Sequence, residues 1–258
     1  MTIVWLTVVT AVRDDLEGLQ RTFASLRTQE LDGVEVLVID SSTDRGAVAQ
    51  VCSDLATVHW VEPQGVYAAM NTALQHASGT YVQFLNAGDC LHDASVLQKV
   101  RVAMASGAPW MFGPVEIVAE DGTRTITPWW TYAVEKRHFF ARGFFPQHQG
   151  TFVKRGLLHS LGGFDTSFRI AADYKMFLRM TQVSDPLELD FVVADFYEGG
   201  LSSEKWQESF REFRRARIEA FHPTGTARLN EQWDYVNHFS RVWAYRSVVE
   251  PLRRRARR

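Results

Sequence analysis

The chain has 258 residues, of which 46% are hydrophobic, 12% aromatic and 22% charged. This length suffices for one large globular domain or two small ones, and the composition excludes collagen, low-complexity disorder and disulfide-rich miniproteins. The formal net charge of −2 gives no indication of a nucleic-acid partner, although the charge is uneven: residues 211–258 hold 12 Lys and Arg against 5 Asp and Glu.

Strand and helix signals alternate along the first half of the chain. The β-branched run Ile3–Thr10 predicts a strand covered on both faces, and Asp14 or Asp15 is the expected N-cap of the helix behind it. Alternating strands and helices with short connections predict a parallel sheet with right-handed crossovers. The further elements predicted in this half are strands at Val34–Ile39, Val58–Val61 and Thr80–Leu85, a short helix after Asp44, and a helix that begins at Gly65.

The second half is less regular. Trp110–Val118 and Thr123–Thr127 predict two strands joined by a turn at Asp121-Gly122. We find neither an internal repeat nor a linker rich in Pro, Gly or Ser, which favours one α/β domain over residues 1–202 with a helical extension over residues 203–258. The remaining predicted elements are a loop at Gly143–Gly150, a helix at Ala172–Thr181, a strand at Phe191–Phe196, and helices at Ser203–His222 and Leu229–Leu252.

Cysteine usage and hydropathy indicate a soluble protein of a reducing compartment. Only two cysteines are present, Cys52 and Cys90, so a thiolate zinc site and a disulfide framework are both unexpected. The apolar start Ile3–Val12 lacks the basic flank and the cleavage site of a signal peptide. No run approaches the roughly 20 apolar residues of a spanning helix. We therefore expect a cytoplasmic chain.

Polar residues stand where the predicted strands end. In an open parallel sheet, ligands bind beyond the carboxyl ends of the strands, where the strand order reverses. Carboxylates in Asp40-Ser41-Ser42 and in Asn86-Ala87-Gly88-Asp89 would converge on one crevice, which suits a divalent cation that bridges to a polyphosphate. Neither GxGxxG nor GxxxxGK[ST] is present, which disfavours a simple dehydrogenase and a P-loop NTPase.

Five segments follow one another in an order that matches a known family. They are Thr7–Gln29, Glu35–Asp44, Gly65–Asp89, His148 onward and Gly162–Arg179. In this order they resemble the family 2 glycosyltransferases, and the motifs GxYxAMN and FLNAGD, both within Gly65–Asp89, resemble the bacterial exopolysaccharide type. The resemblance runs from about residue 3 to the turn at residues 199–202.

This resemblance implies the GT-A fold, a Rossmann-like, mostly parallel sheet flanked by helices. It also implies inverting transfer of a sugar from a nucleotide-diphosphate sugar to a hydroxyl, such as that of a lipid-linked or polysaccharide precursor.

The resemblance also assigns residues to the donor nucleotide. The carboxylate of Asp40 could bind the donor or could cap the turn that follows it. Asp44 could likewise cap the next helix. Relatives often carry an acidic residue at the positions of Gln64 and Ala68, which are neutral here. The residues that match the donor-binding positions are Thr10, Ala11, Arg13, Asp40, Gly65, Asn71 and Asn86.

The segment Asn86-Ala87-Gly88-Asp89 occupies the place of the family's DxD motif. Asn86 stands in the first acidic position, so Asp89 is the one carboxylate that remains. By resemblance, Asp89 binds Mg²⁺ or Mn²⁺, which neutralises the charge on the diphosphate leaving group. The alternative is a plain Asn-Ala-Gly-Asp turn.

Asp173 matches the family's catalytic base. Inversion in one displacement requires a carboxylate that deprotonates the acceptor hydroxyl on the face opposite the leaving group. An Asp at this point would also stabilise a helix N-terminus, and the two roles are compatible. His148 and Tyr174 are candidate contacts for acceptor or diphosphate, although His148 could equally be a core histidine. Trp129-Trp130 and Phe139–Phe145 could stack on sugar rings or fill the core.

The C-terminal segment combines apolar residues at helical spacing with an arginine-rich end. For Trp233–Val249 we favour packing against the domain or against a second subunit, and for Arg253–Arg258 attraction to an anionic membrane. A catalytically silent nucleotide-sugar-binding subunit of a membrane-associated glycan assembly complex is the alternative function, and the presence of Asp173 argues against it. A nucleotidyltransferase would need a Gly-rich, basic loop after the first strand, which Thr10–Asp15 does not provide.

Overall fold

The computed structural model describes residues 3–119, 121–126, 145–197 and 205–244. Within these ranges the strands form two sheets, one of seven strands and one of four. The strands are β1 (Leu6–Val12), β2 (Val34–Asp40), β3 (Thr57–Trp60), β4 (Tyr81–Phe84), β5 (Cys90–Leu91), β6 (Trp110–Phe112), β7 (Val115–Val118), β8 (Arg124–Ile126), β9 (Thr151–Lys154), β10 (Leu187–Glu188) and β11 (Ala194–Tyr197).

The larger sheet has the order β10-β6-β9-β4-β1-β2-β3. All of its strands run in one direction except β9, which is antiparallel to both of its neighbours. The strand β1 is central because its β-branched side chains are buried on both faces. The chain proceeds outward from β1 to β3 and then returns to β4 on the other side of β1. The strand order therefore reverses between β1 and β4, which is where a ligand crevice is expected.

Helices cover both faces of this sheet, and each face has its own apolar core. The helices are α1 (Leu16–Arg27), α2 (Arg45–Cys52), α3 (Val66–His76), α4 (Val96–Ala103), α5 (Arg155–Ser160), α6 (Ala172–Val183), α7 (Trp206–Phe221) and α8 (Gly225–Ala244). The helices α1, α2 and α4 pack on one face, and α3, α5, α6 and α7 pack on the other. The mostly parallel α/β sheet predicted from the sequence is thus confirmed.

The prediction of one continuous strand at Trp110–Val118 is wrong. This segment divides into β6, in the larger sheet, and β7, which pairs with β8 in the smaller one. The break occurs at Gly113, where a Cβ atom would lie 2.6 Å from a methyl of Val193 and 2.8 Å from the carbonyl oxygen of Phe191. Pro114 follows and has no N–H for continued pairing. The smaller sheet has the order β5-β11-β7-β8.

The two C-terminal helices differ in how they are packed. Phe213 and Ala216 of α7 contribute to the core beneath α6, whereas α8 packs on α7 with part of its surface exposed. The helix predicted at Leu229–Leu252 begins earlier, at Gly225, and residues 245–252 lie outside the described ranges, as does the expected boundary at residues 202 and 203. None of the described helices is both long enough and apolar enough to cross a membrane.

Candidate functional site

The carboxyl ends of β1, β2 and β4 lie side by side. The N–H of Ser41 donates to the carbonyl of Val12 at 2.9 Å, and the N–H of Ala87 donates to the carbonyl of Ala11 at 3.1 Å. The parallel register of the sheet thus brings the segment after β2 and the segment Asn86–Asp89 to the two sides of the end of β1. This is the crevice expected from the strand order.

Most polar groups on the β1 and β2 side already have partners. Thr10 is fully buried, and its hydroxyl donates to the carbonyl of Leu85 at 2.8 Å. Asp40 is 1% exposed and accepts a 2.7 Å hydrogen bond from the N–H of Ser42, so it does hold the turn. Arg13, in contrast, is exposed. Asp15 caps α1 and Asp44 caps α2, each through a bond to a backbone N–H.

An aromatic contact beside this turn was not predicted from the sequence motifs. The indole N–H of Trp60 donates to the carbonyl of Ser42 at 3.3 Å. The guanidinium of Arg45 lies over the indole ring, 3.4 Å from its centroid. These two side chains form a flat cationic surface beside the turn that Asp40 holds, of the kind on which a nucleoside base can stack.

Gly65 and Asn71 lie in different environments. Gly65 has a φ of +100° at the start of α3, and no atom of the described ranges lies within 4 Å of the place where its Cβ would be. The amide of Asn71 donates to the carbonyl of Phe164 and accepts from its N–H, both at 2.8 Å. Asn71 therefore anchors the loop that contains Phe164, and both ends of its amide are used by that backbone.

Asp89 is a buried carboxyl at the crevice. It is 6% exposed, and Nε2 of Gln149 donates to its Oδ2 at 3.0 Å. Gly88 has a φ of +98°, which allows the tight turn before it. Burial raises the pKa of Asp89 to about 7, although the charge of His148, the Gln149 hydrogen bond and the charge of Arg21 oppose this rise. A cation bound here would replace that proton.

Buried amide oxygens lie next to Asp89. Among the residues that the structure describes, the side-chain oxygens of Gln83, Asn86 and Gln149 have no hydrogen-bond donor. Their residues are connected, because Nε2 of Gln83 donates to the carbonyl of Gln149, which contacts Asp89 in turn. Buried acceptors normally have a donor or a cation, and oxygen ligands are those that Mg²⁺ and Mn²⁺ prefer. This donor set fits such a cation.

Asp173 lies in the first turn of α6, across the crevice from Asp89. Its Oδ1 accepts from the N–H of Tyr174 at 2.8 Å and lies 3.0 Å from the hydroxyl of Tyr67. Its Oδ2 is 3.4 Å from Nδ1 of His148. The other ring nitrogen of His148 is 3.2 Å from Nδ2 of Asn86. If that amide donates, Nδ1 carries the imidazole proton and points to Asp173.

Tyr174 is placed away from the crevice. Its side chain is fully buried between α6 and α7, where the ring contacts Phe145 and Phe213 at centroid distances of 4.8 and 5.0 Å. Burial raises the pKa of Tyr174 to about 12, against the opposing charge of Arg217. A role in binding acceptor or diphosphate does not fit this position. Trp129-Trp130 and residues 139–144 lie outside the described ranges.

A second group of titratable side chains lies on the smaller sheet, and the sequence did not indicate it. Nδ1 of His92 is 2.7 Å from Oδ1 of Asp195 and 3.7 Å from Oε2 of Glu116. These three residues are spaced closely enough for a metal ion. However, the guanidinium of Arg124 already bridges both carboxylates at 2.5 and 2.6 Å, so the group is satisfied as an ion network.

Comparison with known proteins gives one consistent family. The model of glycosyl transferase family 2 matches residues 7–173. An uncharacterized glycosyltransferase of Mycobacterium tuberculosis (strain H37Rv) is 30% identical over 251 residues, which cover 92% of this chain and 94% of the relative. A PGL/p-HBAD biosynthesis glycosyltransferase of the same strain is 30% identical over 193 residues, which cover 69% of this chain and 72% of the relative.

Solved structures show the same fold at lower identity. Staphylococcus aureus TarS 1–349 superposes with a TM-score of 0.67 at 17% identity, over 93% of this chain and 74% of that one. The mannosyltransferase PcManGT from Pyrobaculum calidifontis, in complex with GDP-Man and Mn²⁺, gives 0.64 at 22% identity, over 94% and 75%. The fold is therefore that of the GT-A glycosyltransferases.

Proposed function

Because the chain belongs to glycosyl transferase family 2, we propose that it is an inverting, metal-assisted enzyme with Asp173 as its general base. Family membership makes it a glycosyltransferase that takes its sugar from a nucleotide sugar. The proposal adds the stereochemistry, the metal and the residue roles.

The observation that carries the proposal is the position of His148 between Asn86 and Asp173. Asn86 belongs to the segment that holds Asp89, on the side where a diphosphate would lie. Asp173 lies on the other side of the imidazole. A carboxylate on one side can take the proton of the acceptor, and a cation on the other side can neutralise the leaving diphosphate, which suits a single displacement with inversion.

In the proposed step, the oxygen of the acceptor hydroxyl forms a bond to the anomeric carbon of the donor sugar. The bond from that carbon to the diphosphate oxygen breaks, and the diphosphate leaves with the electron pair. The hydroxyl proton passes to Asp173. Asp89, with the amide oxygens of Asn86 and Gln149, would hold Mg²⁺ or Mn²⁺, which neutralises charge on the leaving diphosphate.

For the donor, we propose that the nucleoside lies between the end of β1 and the turn after β2. Asp40 would accept hydrogen bonds from the base or the ribose, with Ala11, Arg13 and Gly65 around it. Trp60, with Arg45 over its ring, offers the stacking surface. Both UDP and GDP are candidates, since structures similar in fold are described with UDP and with GDP-Man.

For the acceptor, we propose a lipid-linked or polysaccharide precursor, of the bacterial exopolysaccharide type, at the cytoplasmic face of a membrane. One relative is a PGL/p-HBAD biosynthesis enzyme. The helix α8 exposes Leu229, Trp233, Val236 and Trp243, which we call the α8 stripe. Apolar residues that include Trp, followed in the sequence by the arginines of Arg253–Arg258, match the chemistry of an anionic lipid surface.

A panel of UDP-, GDP- and dTDP-sugars with Mg²⁺ or Mn²⁺ tests the proposed function. Release of the nucleoside diphosphate and protection against thermal unfolding are both measured. An enzyme releases the diphosphate of one donor class and loses this activity in Asp173→Asn. The alternative, a catalytically silent donor-binding subunit, is protected by a donor but releases nothing in either form.

A further inference from the structure

Tyr67 buries a phenol hydroxyl directly beside Asp173. The residue is 7% exposed in the first turn of α3, and its ring stacks on Phe164 with a centroid distance of 5.7 Å. The hydroxyl oxygen lies 2.5 Å from the carbonyl oxygen of Ile170 and 3.0 Å from Oδ1 of Asp173. Burial, reinforced by the charge of Asp173, raises the pKa of Tyr67, so the phenol keeps its proton and remains a donor.

The carbonyl of Ile170 is itself held in place by α7. The carboxylate of Glu212 accepts hydrogen bonds from the N–H groups of Arg169, Ile170 and Ala171, each at 2.8 Å. Three charge-assisted bonds from one carboxylate fix the backbone that leads into α6. The phenol of Tyr67 is therefore positioned by a rigid acceptor rather than by a loose loop.

The two oxygens of Asp173 are not equivalent. Oδ1 has two partners, the N–H of Tyr174 and the hydroxyl of Tyr67. Oδ2 has His148 at 3.4 Å, which is longer than a normal hydrogen bond to a carboxylate. A carboxylate oxygen that already accepts two hydrogen bonds is a poor proton acceptor, so Oδ2 is the more basic atom.

We propose that Tyr67 is a positioning residue that saturates Oδ1 of Asp173 and thereby presents Oδ2 to the acceptor hydroxyl. This inference rests on the proposed function of Asp173. A phenol has one hydrogen and two acceptors here. While Asp173 is ionised, the hydroxyl shares this hydrogen between Oδ1 and the nearer carbonyl oxygen of Ile170. After Oδ2 has taken the acceptor's proton, the carboxyl is neutral and the hydroxyl donates to Ile170. The hydrogen bond of the phenol thus changes with the charge of Asp173, while the ring stays in place.

The test is Tyr67→Phe, which removes the hydroxyl and keeps the ring. We expect kcat to fall about 10- to 100-fold, because one hydrogen bond to a charged group is lost, while KM for the donor sugar stays within about twofold. Nucleoside diphosphate release is measured with water, methanol and trifluoroethanol as acceptors. The loss should be smallest with trifluoroethanol, the most acidic of the three, since it depends least on the base.

Two controls separate positioning from packing. The hydroxyl of Tyr81 donates to the carbonyl of Ala108 at 2.7 Å, and Ala108 precedes β6, away from Asp173, so Tyr81→Phe should keep the wild-type kcat. Incorporation of 3-fluorotyrosine at position 67 retains both the ring and the hydroxyl, so kcat should stay within about threefold of wild type. This variant is also the one to assay if Tyr67→Phe does not fold, and a large loss of kcat in it would contradict the role of the hydroxyl.

The outcomes distinguish this inference from the function on which it rests. In an Asp173→Asn background, Tyr67→Phe should cost nothing more, since there is no charge left to stabilise. A wild-type kcat in Tyr67→Phe, or an equal loss with all three acceptors, refutes the positioning role of Tyr67 and leaves the proposed base untouched. A fully active Asp173→Asn single variant refutes the proposed base itself.

Discussion

Nδ1 of His148 lies 3.4 Å from Oδ2 of Asp173, although the two residues are on different elements of the fold. The short turn before β9 supplies the imidazole, and the first turn of α6 supplies the carboxylate. Because β9 runs antiparallel to β4, its amino end meets the carboxyl end of β4, and His148 therefore reaches both Asn86 and Asp173.

The first prediction is that Asp173→Asn binds the donor as wild type does and loses most of its turnover. Removal of a general base costs on the order of 10²–10⁴ in rate. Donor affinity should hardly change, since the base faces the acceptor. Asp165→Asn is the matched control, because Asp165 pairs with Lys175 at 2.6 Å in the preceding loop. It should lower the melting temperature and leave kcat intact. Normal turnover in Asp173→Asn would show that this residue only stabilises the helix.

The second prediction concerns the metal. Asp89→Ala should lose the metal-dependent part of nucleoside diphosphate binding, and excess Mn²⁺ should restore it only in part. Calorimetric titration of UDP and GDP, with and without Mn²⁺, measures this. Glu116→Gln is the control, since Glu116 belongs to the group bridged by Arg124. If Glu116→Gln abolishes the metal dependence and Asp89→Ala does not, the cation binds on the smaller sheet instead.

The third prediction follows from the burial of Asp89. Its pKa is about 7 in the folded protein, against about 4 in an unfolded chain. Between these values the folded state binds a proton that the unfolded state has released. The free energy of unfolding therefore falls as pH rises from about 4 to 7.

The variant Asp89→Asn isolates this contribution, because its amide stays neutral at every pH. Relative to the variant, the metal-free wild type should lose up to roughly 4 kcal/mol between pH 4 and pH 8. Urea unfolding at several pH values measures the difference. Mn²⁺ should stabilise wild type more at pH 8 than at pH 6, since it replaces a proton at low pH. Parallel pH profiles for the two proteins would contradict a buried, proton-binding Asp89.

The alternation of strands and helices was predictable because local patterns determine it. Buried runs rich in β-branched residues predicted the four strands β1 to β4 of the larger sheet. Asp15 and Asp44 cap helices through bonds only three residues away. The pattern could not show that the run after Trp110 changes sheets. That break depends on contacts of Gly113 with residues about eighty positions later.

The candidate site could be predicted only in part, because many of its contacts also join residues that are far apart in the sequence. The order of the motifs predicted Asn86, Asp89 and Asp173 as site residues. In the structure, His148 lies between Asn86 and Asp173. The motif GxYxAMN includes Tyr67, yet a motif cannot show that the polar end of this buried ring meets a carboxylate 106 residues away. It likewise could not show that the amide of Asn71 is used by the backbone of Phe164.

The last prediction concerns the C-terminal segment. For Trp233–Val249 the expectation is packing on the domain or on a second subunit. Part of the helix does pack on the domain, since Phe239 contacts Phe210 of α7 with a centroid distance of 5.9 Å. Trp233, however, is 71% exposed and Trp243 is 50% exposed. The domain therefore does not cover these two indoles, which belong to the α8 stripe, and packing against a second subunit stays a prediction.

We expect full-length protein to bind vesicles of anionic phospholipid at low ionic strength and to ignore neutral vesicles. Each arginine near such a surface contributes about 1 kcal/mol, and salt should weaken the binding by screening. Truncation after Leu252 removes Arg253–Arg258 and should weaken binding while activity on a soluble acceptor persists. Trp233→Ser with Trp243→Ser should weaken it further, because the apolar contact is lost. If these Trp variants instead convert a dimer to a monomer in size-exclusion chromatography, the α8 stripe joins two copies of the chain. Full-length protein that does not bind anionic vesicles at low salt would rule out the membrane contact.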